Sequence, residues 1–172
     1  GSLDKACRRS FPTPEVSFYR MVGLSRLFPS SRRFGRYNLT YLNPDHLAEV
    51  DSVVGAFMLV RAEAIEDVGL MDETFFMYGE DLDWAYRIKQ AGWRVYYNPT
   101  VTVMHVKKAS TRQNPQAQVA FYRAMDIFYR KHFAVQTSWW LHAVIVVAVT
   151  ARLKLEQLRV GLFATNGEEA TA

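Results

Sequence analysis

Three carboxylates crowd one short stretch of the chain, Gly79-Glu80-Asp81-Leu82-Asp83, and residues of this type at this spacing can do acid–base chemistry. A helix beginning after Gly79 puts Asp81 on the face of Trp84, Ala85 and Ile88, all apolar. A carboxylate on an inward face must be paired or employed, because burying it alone costs on the order of several kcal/mol. A general base needs that kind of position: rigid, partly desolvated and aimed at a cavity. The plainer reading is electrostatic, since acids in a first helical turn complement the dipole and satisfy its free N–H groups. Asp83, spaced i,i+4 from Arg87, fits the plainer reading as a surface ion pair. For Asp81 both readings stand.

His105 is the other residue with chemistry to offer. It ends the alternating run Val101-Thr102-Val103-Met104-His105, which predicts a strand with Val101, Val103 and His105 on one face. A neutral imidazole is a common metal ligand, and it needs a second partner to fix its tautomer. A lone strand-end histidine is more often a hydrogen-bonded structural residue. One histidine is no metal site, so further ligands would come from elsewhere in space.

Several elements must hold these groups. Thr13 offers an N-cap, Pro14 the first helical position and Glu15 a first-turn acid, predicting a helix from Pro14 to Phe28. Ser30 to Asp45 reads as a basic loop. Val53 to Val60 is a continuous apolar run, expected as a strand buried on both faces. Helices follow at Ala62–Val68, stopped by Gly69, and at Glu80–Ala91, stopped by Gly92. Trp93 to Tyr97 reads as a strand, and Asn114-Pro115 opens a helix reaching Phe133. Trp139 to Ala151 carries no charge, yet it falls short of the roughly 20 apolar residues needed to span a bilayer. With Leu155, Leu158 and Leu162 sharing a face beyond it, this tail reads as a helix lying in a membrane interface, or one packed on the domain.

At 172 residues, 49% hydrophobic and 22% charged, the composition is that of a folded domain with room for a small tail. The net charge of +4 hides a surplus of +6 over residues 1–40, a deficit of −10 over 41–83 and a surplus of +8 over 84–172. Basic flanks suit an anionic membrane surface or a diphosphate-bearing substrate. The acidic centre and the lack of a basic–aromatic motif argue against nucleic acid. Cys7 stands alone, which points to a reducing cytosolic setting, and no leader segment is legible.

Four motifs in order, Gly55-Ala56-Phe57-Met58-Leu59-Val60-Arg61, Val68-Gly69-Leu70-Met71-Asp72-Glu73, Gly79-Glu80-Asp81-Leu82-Asp83 and Ala91-Gly92-Trp93-Arg94-Val95, resemble the family-two glycosyltransferases. The likeness is to the bacterial rhamnosyltransferase-like branch, which builds cell-envelope polysaccharides, and it runs from about Leu3 to Phe133. It implies an α/β chain: the C-terminal half of a GT-A fold over residues 1–134, with a small mixed sheet flanked by helices, and a helical tail over 135–172. It implies sugar transfer with inversion, Asp81 taking the proton from the acceptor hydroxyl and Glu80 shaping the acceptor site. Gly55, Ala56, Phe76 and Tyr78 would line that site, and His105 would help hold a divalent Mg²⁺ or Mn²⁺ on the donor's diphosphate.

The family's Asp-X-Asp metal motif should lie before the acceptor half, yet none occurs before Gly55; Asp81-Leu82-Asp83 fits it literally but sits in the base motif. The resemblance therefore implies an acceptor-side portion that needs a nucleotide-binding half and does not transfer sugar alone. Its expected partners are a nucleotide-sugar donor, a glycan or lipid-linked acceptor, and a membrane surface met through residues 138–165. The expected place is the cytoplasmic side, peripheral on the inner face of the cell membrane. The alternative is a non-catalytic interaction module docking on membrane or a partner chain; a metal-dependent hydrolase lacks enough ligands.

Overall fold

Thr13 caps the first helix as its position suggests: its hydroxyl accepts the Val16 N–H at 3.3 Å, and Pro14 opens helix α1 (Pro14–Met21). The single helix expected to Phe28 is instead two. Gly23 takes a left-handed conformation (φ 82°), ends α1 and starts the short α2 (Leu24–Leu27). The structure is a computed structural model that describes residues 2–106 and 116–169, with 162–169 described by backbone alone. The described chain falls into two compact units: one takes the residues up to Glu73 together with Glu80–His105, the other Thr74–Gly79 with the chain from Val106 onward.

The first unit is built on a two-stranded antiparallel sheet, β1 (Ala48–Val50) against β2 (Val95–Tyr97), with Glu49 opposite Tyr96. The N-terminal segment continues that sheet by one bridge, Arg9 to Ser52: each N–H meets the other's carbonyl, at 2.9 and 3.0 Å. Helices α3 (Ala62–Val68) and α4 (Glu80–Gln90) pack together, and Trp84 of α4 donates its indole N–H to Gly69 O at 2.9 Å. Val50, Ala64, Leu82, Trp84, Ala85 and Ile88 form the buried apolar centre. Lys89, near the end of α4, reaches Val50 O at 3.1 Å and Asp51 at 2.9 Å, tying the helix to the strand.

Two expected strands are absent. Val53–Val60 bends away after Ser52 and runs as turn and irregular backbone, leaving Phe57 and Leu59 51% and 88% exposed. Val101–His105 is likewise irregular, with Val101 and Val103 exposed. An apolar run becomes a strand only where a neighbouring ladder takes its N–H and C=O groups, and among the described residues none lies alongside either run. The sheet is accordingly one antiparallel pair and not mixed. The α/β character stands.

The second unit pairs helices α5 (Ala117–His132) and α6 (Trp139–Glu169). Phe128 and Tyr129 of α5 are buried, and the Tyr129 hydroxyl meets His142 Nδ1 at 3.0 Å across the pair. The expected opening of α5 at Asn114-Pro115 lies outside the described residues. The loop Thr74–Gly79 packs on α5 through buried Phe75 and through Tyr78, whose ring meets Phe121 edge-on. Tyr78 (φ 67°) and Gly79 (φ 84°) are both left-handed, a turn that costs the tyrosine on the order of 1–2 kcal/mol. Gly79 cannot carry a side chain here, since a Cβ would lie 3.0 Å from the Phe75 ring and 3.3 Å from Ala124.

Candidate active site

The three acids that open α4 have three different surroundings. Asp83 does pair with Arg87, at 2.9 Å, but the pair is not the surface pair its spacing suggests: Asp83 is wholly buried. Arg87 also donates to Val68 O at 2.6 Å and Leu70 O at 2.7 Å, so the bridge clamps the end of α3 to α4. Breaking a buried pair by losing one partner costs about 3–5 kcal/mol, against about 0–1 for exposed pairs such as Arg130–Asp126. Asp83 is a framework residue.

Asp81 is 7% exposed and lies at the centre of a small polar nest. Its Oδ2 accepts from Arg9 Nη2 at 2.6 Å and from the Gly55 N–H at 2.9 Å. Its Oδ1 has no hydrogen bond among the described residues. Gly55 approaches so closely that a Cβ there would sit 3.3 Å from the Asp81 Cβ, which is why the apolar run turns at this glycine. Asp81 and Gly55 are thus brought together, and Ala56 follows in the same exposed turn.

Glu80 is half-buried, and its Oε2 has lost water without gaining a hydrogen-bond partner among the described residues. Burial pushes its carboxyl above the usual value near 4.5, and the Asp81 charge adds to this; its own backbone N–H and the Arg9 cation pull the other way. Phe76 and Tyr78 belong to the other unit. There Phe76, 82% exposed, helps line a groove of about 220 Å³ with Phe75, Met77, Val119, Arg123 and Ile127.

His105 faces Asp4, with Nδ1 3.6 Å from the carboxylate. Asp4 also caps the short turn Lys5–Cys7 through the Ala6 N–H at 2.8 Å. No three His, Cys, Asp or Glu side chains converge among the described residues. An imidazole beside a carboxylate suits part of a divalent coordination shell, as a ligand with its orienting partner, and not the whole of one.

The residue that sequence reasoning missed is Arg9. It is 8% exposed and joined to a carboxylate 72 positions away, so no local spacing marks it. The one available sign was a pair of arginines, Arg8-Arg9, directly before Ser10-Phe11-Pro12, where a solvated loop has no need of them.

Comparison with known proteins gives the family of the chain. Residues 21–123 match the family model described as glycosyltransferase like family 2, and the chain belongs to that family. It is 37% identical over 87 residues to the N-acetylglucosaminyl-diphospho-decaprenol L-rhamnosyltransferase of Mycobacterium tuberculosis H37Rv, covering 50% of this chain and 27% of that one. To the low-salt glycan biosynthesis hexosyltransferase of Haloferax volcanii it is 24% identical over 129 residues, 74% of this chain and 36% of the relative. To the rhamnosyltransferase WbbL of Escherichia coli K12 it is 41% identical over 56 residues, 33% and 21%. The chain thus spans between about a fifth and about a third of the length of these relatives. No solved structure matches it.

The Glu80 environment gives a signed pH dependence. A carboxyl whose native pKa is raised holds its proton more tightly when folded, so its contribution to stability is present below pH 4.5 and lost as pH rises through the native value. Glu80→Gln removes that loss. In urea unfolding the variant should exceed the wild type in stability at about pH 8, with the gap closing toward about pH 4. An equal gap at both pH values contradicts a desolvated carboxyl.

Proposed function

We propose that this chain is the acceptor-side, base-bearing portion of an inverting nucleotide-sugar glycosyltransferase of the GT-A type, acting on a lipid-linked or cell-envelope glycan. One observation carries the reading: a buried carboxylate fixed on one oxygen by two donors, with the other oxygen unengaged, in a chain of this family. In this reading an acceptor hydroxyl hydrogen-bonds to Asp81 Oδ1, which receives its proton as the oxygen attacks the anomeric carbon of the donor and the nucleotide diphosphate departs. The Arg9 and Gly55 N–H groups hold the carboxylate in place through Oδ2.

Glu80 flanks the acceptor, with Gly55 and Ala56 on one side. Within the second unit, the apolar groove beside Phe76 suits the non-polar part of a lipid-linked glycan. A diphospho-decaprenol acceptor, named for the mycobacterial relative, is of that kind. His105, oriented by Asp4, would occupy one position on a Mg²⁺ or Mn²⁺ ion whose remaining ligands lie on the donor and on other residues; such an ion offsets the negative charge of the leaving diphosphate.

A second observation favours docking on membrane. Trp140, Val144, Val147, Ala151, Leu155 and Leu158 recur at helical spacing along α6 and are all exposed, with Arg152, Lys154 and Arg159 exposed beside them. Leu141, Ile145 and Ala148, each one residue further and so about 100° round the helix, are half-buried. Among the described residues no helix is long and apolar enough to cross a membrane. We read this helix, uncharged over residues 139–151 and basic beyond them, as lying in the interface instead, which would hold the protein peripherally on the inner face of the cell membrane.

Two measurements test these readings. In the full-length protein, Asp81→Asn should lower sugar transfer by about 100-fold or more while nucleotide-sugar binding survives; near-normal turnover would remove Asp81 as base. Anionic phosphatidylglycerol vesicles should co-sediment the chain, and the triple change Trp140→Ser, Val144→Ser, Val147→Ser should release it. Equal binding by both proteins would end the membrane role.

A further inference from the structure

We propose that Arg9 is the positioning residue of the Asp81 base, and that the guanidinium is placed to hold one carboxylate oxygen while leaving the other for the acceptor. The inference rests on Asp81 acting as base, and goes beyond it by assigning a role to a residue remote in sequence.

The geometry of the pair is the first reason. Buried arginine and carboxylate groups ordinarily meet fork to fork, two N–H groups on two oxygens, which satisfies both partners. Here Nη2 alone reaches the carboxylate, and only its Oδ2. The same Nη2 also reaches Val53 O at 2.8 Å and Ser52 Oγ at 3.4 Å. Arg9 Nε is left buried with no partner among the described residues, a defect that costs about 1–3 kcal/mol. A pair serving stability alone would rotate to use Nε and Oδ1. This one keeps Oδ1 unused and tolerates the orphan.

The second reason is how firmly Arg9 itself is held. Its N–H meets Ser52 O at 2.9 Å, and its carbonyl accepts from Asp51 at 3.1 Å and Ser52 at 3.0 Å. Backbone on both sides of the residue is therefore fixed to the end of β1, and the side chain crosses from there to α4. Gly55, whose N–H shares Oδ2, stands three residues beyond Ser52 on the same segment. Strand end, glycine turn and guanidinium form one rigid seat, and Asp81 Oδ2 sits in it. The other ionisable groups about this seat are Glu80, adjacent in α4, and Asp51, which is engaged by Lys89 and by the Phe11 N–H.

The test uses the full-length protein and two substitutions, with Asp81→Asn as the control for the base itself. Arg9→Met should lower kcat by about 100-fold with KM for donor and acceptor little changed, because the carboxylate loses its seat while the binding surfaces stay. Arg9→Lys keeps a point charge without the planar donor, so it should rescue part of the loss, leaving kcat about 10-fold below the wild type. An Arg9→Met enzyme with wild-type kcat, or one impaired only through KM, overturns the proposal. So does a folded Arg9→Lys enzyme with wild-type kcat, which also decides the matter if Arg9→Met does not fold. If Asp81→Asn retains turnover, the assignment of the base fails instead.

Discussion

The ion pair between Arg9 and Asp81 is the contact on which the first unit is organised. It closes a loop of 72 residues and gathers the N-terminal segment, the end of β1 and the start of α4 at one point. Its two charges are both largely out of water, and a pair of this kind costs about 3–5 kcal/mol when one member is lost. Stability alone explains it poorly, because apolar residues of similar volume would serve as well or better. What the charges add is direction: the carboxylate can point only one way.

Around that point the helix start sorts three identical chemical groups into three roles. Asp83 faces inward and is spent on Arg87, which binds the carbonyls at the end of α3. Asp81 is seated on one oxygen and open on the other. Glu80 is half-buried, its Oε2 has no hydrogen-bond partner among the described residues, and burial makes the carboxyl hold its proton more tightly. Spacing along the helix sets which acid faces which neighbour, and the neighbours set the chemistry. Within the second unit, Tyr78 and Gly79 are both left-handed, and the Tyr78 ring meets Phe121 edge-on.

Local chemistry in this chain is legible residue by residue. Thr13-Pro14 announces a helix start, and Gly69 and Gly92 announce helix ends, because caps depend only on adjacent residues. The acidic corner at Glu80–Asp83 and the closeness of Gly55 to it were legible through family motifs. Val53–Val60 and Val101–His105 were misread because a strand is a relation between segments, and hydropathy reports only one of them. Arg9 was invisible for the same reason at a finer scale: its meaning lies in a carboxylate far along the chain. The break of the first helix at Gly23 is the opposite case, a local sign weaker than the periodicity around it.

The account turns on which oxygen meets the acceptor. A crystal structure of the full-length protein with its acceptor bound measures this directly. It should place the attacking hydroxyl within hydrogen-bond distance of Asp81 Oδ1, with Arg9 and the Gly55 N–H still on Oδ2. A hydroxyl bonded to Glu80 instead, or an acceptor seated away from Asp81 altogether, would contradict it.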